Sequence, residues 1–147
     1  MQELNLPQYD IKVRVEAGTR KIFDPVRKKY LTLQPEEWVR QNFIQYLALD
    51  RGYPLSLISV ERTLEIHGQR KRCDIVAFNT TAQPTMIVEC KAPSVSVKQE
   101  TFDQAARYNI SLKVPYLVVT NGMQHFCCKI HHDKGTYEYL KEIPHYR

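Results

Sequence analysis

The most regular pattern of apolar and polar positions lies in the segment QPEEWVRQNFIQYLALDRGY, which begins at Gln34. Its apolar side chains recur at three- and four-residue spacing, at Val39, Phe43, Tyr46 and Leu47. This spacing places them on one face of an amphipathic helix. Pro35 suits the first helical position, the two glutamates after it suit the positive end of the helix dipole, and Gly52 suits the end of the helix.

The segments after this helix alternate or run apolar over short lengths, which is typical of strands. Three strands are predicted in succession, at LISVERTLEIHG, QRKRCDIVAFN and PTMIVECKAPSV. Turn residues separate them at Gly68-Gln69 and between Asn79 and Pro84. The second connection is short, so the strands on either side of it are predicted to form a hairpin.

A second helix is predicted from about residue 97 to 113, followed by one apolar strand, PYLVVTNG, and two short strands in the tail that turn at Lys134-Gly135. Residues 1–20 are expected to be an extended or partly ordered lead-in, and residues 22–33 a short hairpin. The whole chain, residues 1–147, is therefore predicted to form a single α/β domain with a mixed central β-sheet flanked by helices.

Two charged residues, Glu89 and Lys91, stand at the end of the apolar run that includes Ile87. Because side chains alternate along a strand, these three share one face, and the two charges lie about 7 Å apart. Asp74 precedes the apolar IVAF of the preceding strand, so the predicted hairpin would bring it near Glu89. Burying charges is costly, which indicates a functional site here. The simpler interpretation is a strand-end ion pair, with Asp74 capping a turn.

Two carboxylates and a lysine at one sheet edge fit the chemistry of a Mg²⁺ site. Asp74 and Glu89 would supply carboxylate oxygens, and the backbone carbonyl of Cys90 lies between the functional side chains. A bound cation activates water and offsets charge on a phosphate under attack. Lys91 would orient that water or stabilise the phosphate oxygens.

Two further features strengthen the interpretation as a site. In DQAARYN, Gln104 and Tyr108 lie four residues apart, on one face of the second helix. Two basic triplets flank the site and would hold a phosphate backbone, namely Arg27, Lys28 and Lys29, and Arg70, Lys71 and Arg72. The simpler interpretations are a partly exposed amphipathic helix and solvated charges in turns.

Composition sets broad limits on the function. Basic residues outnumber acidic ones by 21 to 16, which gives a net charge of +5. This charge weakly favours a polyanionic binding partner. The first residues do not look like a signal peptide, and no apolar run is long enough for a transmembrane helix. Four cysteines without a CxxC spacing are expected to be reduced core thiols of a cytoplasmic protein: Cys73, Cys90, Cys127 and Cys128.

The tail concentrates residue types that bind zinc, at His125, Cys127, Cys128, His131 and His132. On a strand, His125, Cys127 and His131 would share a face, so a zinc site is one alternative. The spacing fits no common zinc motif, and ordinary strand residues are the preferred interpretation.

Asp74, followed on the next strand by Glu89-Cys90-Lys91, resembles the signature of the PD-(D/E)xK nuclease superfamily. The motif alone is weak, but its setting resembles the N-terminal nuclease region of type I restriction enzyme R subunits over roughly residues 22 to 130. The segments PEEWVRQNFIQYL, RKRCDIVAFN, IVECKAP, QAARYN and YLVVTNG occur in the order found there. The DQAARYN segment also resembles the QxxxY motif of RecB-like nucleases.

The resemblance implies a restriction-endonuclease-like fold and cleavage of DNA phosphodiesters that depends on Mg²⁺ or Mn²⁺. Asp74 and Glu89 would hold the metal, and Lys91 would serve the attacking water. A glutamate on the first helix would join the metal through a water, with Glu37 the first candidate and Glu36 the second. Two residues of the second helix would steady the lysine or the DNA: Gln104 and Tyr108.

The sequence departs from the family pattern at two points. Cys73 stands where the name-giving proline would precede Asp74, which is a common variation. No GxxxxGK[ST] phosphate loop is present, so no ATP-driven motor is expected in this chain. The chain is therefore expected to be a stand-alone nuclease domain or a part that works with motor or specificity subunits. The alternative is a DNA-binding or subunit-interaction module that keeps the fold without cutting.

Overall fold

A computed structural model describes all 147 residues of the chain. Nine β-strands and two α-helices follow one another along the sequence. The order is β1 (Val13–Glu16), β2 (Thr19–Asp24), β3 (Lys29–Thr32), α1 (Pro35–Gln45), β4 (Ile58–Ile66), β5 (Gln69–Phe78), β6 (Pro84–Cys90), α2 (Gln99–Ile110), β7 (Tyr116–Thr120), β8 (His125–His131) and β9 (Thr136–Leu140).

The central element is a six-stranded sheet in the order β4-β5-β6-β7-β8-β9. All neighbours are antiparallel except β6 and β7, which are parallel. That exception arises because α2 carries the chain from β6 back to the start of β7, as a parallel connection requires. The predicted mixed α/β fold is thereby confirmed, including the β5–β6 hairpin and the two short strands of the tail.

Each face of the large sheet is covered by one helix. One cluster of buried side chains joins α1 to the sheet and includes Phe43, Ile75 and Val88. A second cluster joins α2 to the opposite face and includes Phe102 and Ile87. Because both faces are covered, the central strands read as continuous apolar runs rather than as alternating ones.

A second, three-stranded antiparallel sheet, in the order β1-β2-β3, precedes the first helix. Residues 1–20, expected to be an extended or partly ordered lead-in, contain regular structure from Val13 onward. The β1–β2 turn consists of Ala17 and Gly18, both with positive φ, a turn geometry that matches the natural twist of a hairpin. The predicted hairpin over residues 22–33 is present as part of β2 and β3.

The first residues lack regular structure but pack on the fold. Leu4 is buried, and the Asn5 N–H donates to the carbonyl of Gly122 at 2.9 Å. A Cβ at Gly122 would come within 2.7 Å of Leu4, and the φ of +87° is also one that favours glycine. The Trp38 indole N–H donates to the carbonyl of Gln2 at 2.8 Å. The N-terminal segment therefore closes one end of the core.

The first helix ends close to where the sequence predicts. After α1 the chain continues in one wider helical turn, Tyr46–Asp50, before Gly52, whose φ is +76°. Neither α-helix has the length and apolar character that crossing a membrane requires.

Candidate active site

The β5–β6 hairpin brings Asp74 and Glu89 together. Ile75 pairs with Val88 in this hairpin, and continuing that register places Asp74 opposite Glu89. The N–H of Cys90 donates to Asp74 Oδ2 at 2.7 Å, which fixes the carboxylate against the end of β6. The predicted hairpin is present, but the two side chains do not share a face as expected: Asp74 faces Arg40 of α1, whereas Glu89 pairs with Lys71, which lies against Tyr108 of α2.

Asp74 turns toward α1 because the side-chain alternation of β5 changes there. Cys73 packs in the α2-side core and Ile75 in the α1-side core, although two residues apart they would normally share a face. Across β4, Glu61 has φ +55°, which is uncommon for a residue other than glycine. Asp74 Oδ1 lies 3.5 Å from Nη1 of Arg40 on α1.

Arg40 is a buried cation surrounded by three carboxylates. Its Nε donates to Glu37 Oε2 at 3.1 Å, and its Nη1 contacts both Glu61 and Asp74. Burial alone would lower the pKa of Arg40, but the carboxylates raise it above its ordinary value. The guanidinium therefore stays charged and joins α1 to β4 and β5. Nothing in the sequence pattern singled Arg40 out, although it lies on the helix turn that also carries Glu37.

Glu37 belongs to this buried network. Besides Arg40, its carboxylate accepts hydrogen bonds from Nη2 of Arg27 at 3.2 Å and from Nε2 of Gln41 at 2.9 Å. Its oxygens are thus committed to structural partners, which differs from the expectation that Glu37 is the first candidate for the metal.

Glu36, the second candidate, lies at the surface beside the site. Desolvation raises the pKa of Glu36 above its ordinary value, and the negative charge of Asp74 adds to that shift. The positive charges of Arg40 and Lys91 act in the opposite direction. Glu36 is therefore within electrostatic reach of both Asp74 and Lys91, and of the two glutamates it is the better placed.

Glu89 is paired with a lysine that the sequence analysis assigned to DNA. The Lys71 ammonium forms an ion pair with the Glu89 carboxylate, and both side chains are mostly shielded from solvent. The same ammonium lies 4.8 Å from the ring centre of Tyr108 on α2. Tyr108 thus steadies Lys71 rather than the expected Lys91, and its hydroxyl donates to the Arg70 carbonyl at 3.4 Å. Gln104 lies exposed one turn earlier on α2.

Lys91 follows the last residue of β6. Its N–H donates to the carbonyl of Thr120 at 2.8 Å, so the parallel pairing with β7 continues one residue beyond the strand. The side chain is half-buried. Its positive charge acts to lower the pKa of Glu36 on α1.

The two basic triplets are not equivalent sets of free cations. Arg27 is internal, since its Nε donates to the buried Asp24 at 2.6 Å. Arg72 forms an ion pair with Glu61 while remaining largely exposed. The exposed cations of the triplets that have no carboxylate partner are Lys28, Lys29 and Arg70.

The histidines of the tail each have a partner of their own. His125 bonds to Thr120 Oγ1 at 2.7 Å, and His132 Nδ1 bonds to the Ile110 carbonyl at 2.7 Å. Cys127 and Cys128 point into the cores on opposite faces of the sheet, and burial raises the pKa of both thiols to about 12. All four cysteines are free and buried, as the sequence indicated. This geometry gives the zinc alternative no ligand set.

The donor set at the hairpin end consists of oxygen atoms. Asp74 and Glu89 offer oxygen ligands, which Mg²⁺ prefers, and usually only one or two carboxylates come from the protein. Burial raises the pKa of Asp74, and the charges of Glu61 and Glu89 raise it further, so the site favours an added positive charge. No three His, Cys, Asp or Glu residues are preassembled around a common point. The chemistry of the donors fits, with the rest of the coordination left to water and phosphate.

The fold belongs to the class of α/β proteins in which a six-stranded mixed sheet carries one helix on each face. This chain is similar to the solved structure described as a fragment of an HsdR subunit of a type I restriction enzyme from Vibrio vulnificus YJ016. The TM-score is 0.51 with 21% identity, over 77% of this chain and 24% of that one. This chain thus spans about a quarter of the length of that structure.

The family model of the type I restriction enzyme R protein N terminus (HSDR_N) matches residues 35–144. The chain belongs to this family. No curated protein matches it. The match covers α1, the whole large sheet and α2, and it begins after the small sheet.

Proposed function

We propose that this chain is a metal-dependent DNA endonuclease domain of a type I restriction-like system. The observation that carries the proposal is the position of Asp74 and Glu89 opposite each other in the register at the end of the β5–β6 hairpin, with Lys91 directly after the strand. Each carboxylate lies against a cation, Arg40 for Asp74 and Lys71 for Glu89. A metal would therefore have to displace or share these cations, and family membership supports the restriction context.

In this proposal Asp74 and Glu89 hold Mg²⁺ or Mn²⁺, together with the backbone carbonyl of Cys90. The metal, when bound, supplies an activated water and offsets negative charge on the phosphate. Lys91 orients the water and stabilises the phosphate oxygens as a point charge. Glu36 replaces Glu37 as the glutamate that holds a further water beside Asp74.

The DNA partner is proposed on electrostatic grounds. Lys28, Lys29 and Arg70 are exposed and have no carboxylate partner, so they remain available to phosphates. Gln104 and Tyr108 lie on the face of α2 that meets the turn at Arg70, where they would steady the DNA or Lys71. Motor or specificity subunits are proposed as further partners, because the chain belongs to a family of type I restriction enzyme R proteins.

The test is incubation of supercoiled plasmid with the purified protein in the presence of Mg²⁺, Mn²⁺ or EDTA. Nicking is expected with either metal and none with EDTA, because the carboxylates need the cation to act on a phosphodiester. Relaxed and linear products separated on an agarose gel give the rate. Intact plasmid with both metals, across linear, nicked and branched DNA forms, would contradict an endonuclease that acts alone.

A non-cleaving DNA-binding or subunit-interaction module is the second candidate. It is favoured by one observation, that Asp74 and Glu89 already have cationic partners in the folded chain. Ion pairs of this kind hold a fold together without any metal. The plasmid assay separates the two candidates, because a binding module would retain the DNA in a gel-shift experiment and leave it uncut.

Replacing Lys71 by methionine is expected to strengthen Mn²⁺ binding in the absence of DNA. The Lys71 ammonium occupies the Glu89 carboxylate, and a metal has to displace it. Removing an ion pair of about 1 kcal/mol should raise the affinity about three- to tenfold. Isothermal titration calorimetry with Mn²⁺ measures the change. Arg70→Met is the matched control, since Arg70 is the exposed neighbour and does not contact Glu89; an unchanged affinity in Lys71→Met would show that the two cations do not compete.

A further inference from the structure

The positive charge of the chain is concentrated in the small sheet. Residues 12–32 contain seven basic and two acidic residues, a net charge of +5. The whole chain has 21 basic and 16 acidic residues, also a net charge of +5. The basic and acidic residues of the rest of the chain are therefore equal in number, and the excess positive charge that favours a polyanion comes entirely from this segment. It lies outside the family match over residues 35–144.

Most of these cations are free of carboxylates. The two acidic residues of the segment are each engaged, Asp24 by Arg27 and Glu16 by Arg14. Five basic side chains then have no carboxylate within ion-pair distance, at Lys12, Arg20, Lys21, Lys28 and Lys29. Unpaired cations that crowd one small sheet repel one another, and a polyanion relieves this repulsion.

The sheet presents one packed face and one open face. Ile22 and Asp24 of β2 are fully buried on the α1 side. The cross-strand pairs Arg14–Lys21 and Phe23–Tyr30 lie on the opposite side, because side chains alternate along a strand. The Arg14 guanidinium lies 3.7 Å from the Tyr30 ring centre. The aromatic rings thereby support the cations and keep the open face ordered.

A continuous set of ion pairs connects this sheet to the candidate active site. Asp24 at the end of β2 binds Arg27, Arg27 binds Glu37, Glu37 binds Arg40, and Arg40 contacts Asp74. Most of these side chains are shielded from solvent, so the pairs hold the sheet firmly against α1. A polyanion bound to the small sheet is thus held close to α1, whose Arg40 contacts Asp74.

We propose that the small sheet, residues 12–32, is a docking surface for the phosphate backbone of duplex DNA. The proposal deepens the nuclease function proposed above and rests on it for the choice of DNA over another polyanion. The contacts come mostly from lysine, a flexible point charge that follows phosphates without reading bases. The binding is therefore electrostatic and indifferent to sequence, and it positions the duplex for the hairpin end.

The experiment compares two variants with the same net charge. The sheet variant replaces Lys12, Lys21, Lys28 and Lys29 by glutamine. The control variant makes the same replacement at exposed lysines elsewhere, at Lys98, Lys113, Lys129 and Lys134. Lys113 matches Lys28, because both have positive φ. Binding of a short labelled duplex is followed by fluorescence anisotropy over a range of salt concentrations in EDTA, which prevents cleavage.

The sheet variant is expected to bind about tenfold or more weakly at low salt, and the slope of log affinity against log salt should shrink by about 0.9 for each phosphate that the protein no longer neutralises. The control variant should bind like the intact protein. Should the sheet variant fail to fold, the Lys12→Gln, Lys21→Gln pair on the open side of the sheet gives about half of the slope change. Thermal melting of each variant verifies the fold.

The outcomes separate this surface from the nuclease function. Equally weakened DNA binding in both variants would indicate that only the net charge of the protein matters. An unchanged DNA affinity of the sheet variant would leave an acidic protein as the partner of this surface. Either result overturns the proposal. The proposal is also overturned if the intact protein does not bind the duplex at any salt concentration. Plasmid nicking by the intact protein is scored separately, so a protein that binds through the sheet but never nicks contradicts only the nuclease function.

Discussion

Replacing Asp74 by asparagine is expected to lower the metal-dependent nicking rate by about a hundredfold or more, the size of effect seen when one charged group at the reacting centre is removed. The amide oxygen can still accept the Cys90 N–H that holds the carboxylate now, so the hairpin geometry is kept. The negative charge that would hold the cation is absent from the variant. Initial rates of plasmid nicking at saturating Mg²⁺ measure the effect.

The fold of this variant should be close to that of the unaltered protein. Burial, with the charges of Glu61 and Glu89, raises the pKa of Asp74, so the folded chain disfavours the charged form that asparagine removes. Asp133→Asn is the matched control, because Asp133 is exposed in the β8–β9 turn. Nicking by Asp74→Asn at the rate of the control would show that this carboxylate has only the structural role of binding Cys90 and Arg40.

Replacing Arg40 by methionine is expected to lower the free energy of unfolding by about 3–5 kcal/mol, the usual cost of leaving buried charges without their partner. Arg40 is buried, and Glu37, Glu61 and Asp74 all face it. Methionine retains much of the packing volume and removes the charge. Chemical denaturation followed by circular dichroism at neutral pH measures the destabilisation.

The control for this prediction is Arg72→Met. Arg72 also pairs with Glu61, but its side chain is 71% exposed, so its replacement should cost at most about 1 kcal/mol. A similar cost for both variants would mean that the Arg40 network contributes no more than a surface ion pair.

The difference between the Arg40→Met variant and the unaltered protein should depend on pH. Burial acts to raise the pKa of Glu61, but hydrogen bonds from Arg72 and Arg40 lower it below its ordinary value. A lowered pKa gives stability that is present above the unfolded value of about 4.3 and is lost as the pH falls through the folded value. The gap between the two proteins should therefore be widest near neutral pH and narrow in acid.

Much of the secondary structure was predictable because local patterns agree with the final environment. The spacing of Val39 and Phe43 marks α1, and the turn residues around Asn79 mark the β5–β6 hairpin. Strand β1 was not predicted, because charged residues such as Arg14 and Glu16 interrupt the alternation of apolar and polar positions. Ala17-Gly18 was the local signal that could have revealed the hairpin, since positive φ at both positions suits a tight β-turn.

The candidate site divides in the same way. The short connection predicts the hairpin and so brings Asp74 near Glu89, but the bulge between Ala77 and Phe78, which shifts the register by one residue, was not visible in the sequence. The partners of these carboxylates were not visible either, because Arg40 lies on a helix 34 positions before Asp74 and Lys71 reaches Glu89 from the neighbouring strand. Which side chains of different helices and strands contact one another depends on how the helices pack on the sheet. The spacing of apolar residues along the sequence does not contain that information.

The sequence by itself determined the order of helices and strands, the mixed sheet and the pair of carboxylates at one hairpin end, since these depend on neighbours close along the chain. Only the tertiary structure decided that Glu36 rather than Glu37 lies free beside the site, because a shift of one residue on α1 rotates the side chain from the surface into the Arg27 and Arg40 network. It also decided that the excess positive charge lies on one folded sheet, because the pairing of β1, β2 and β3 gathers cations that the sequence spreads over residues 12–32.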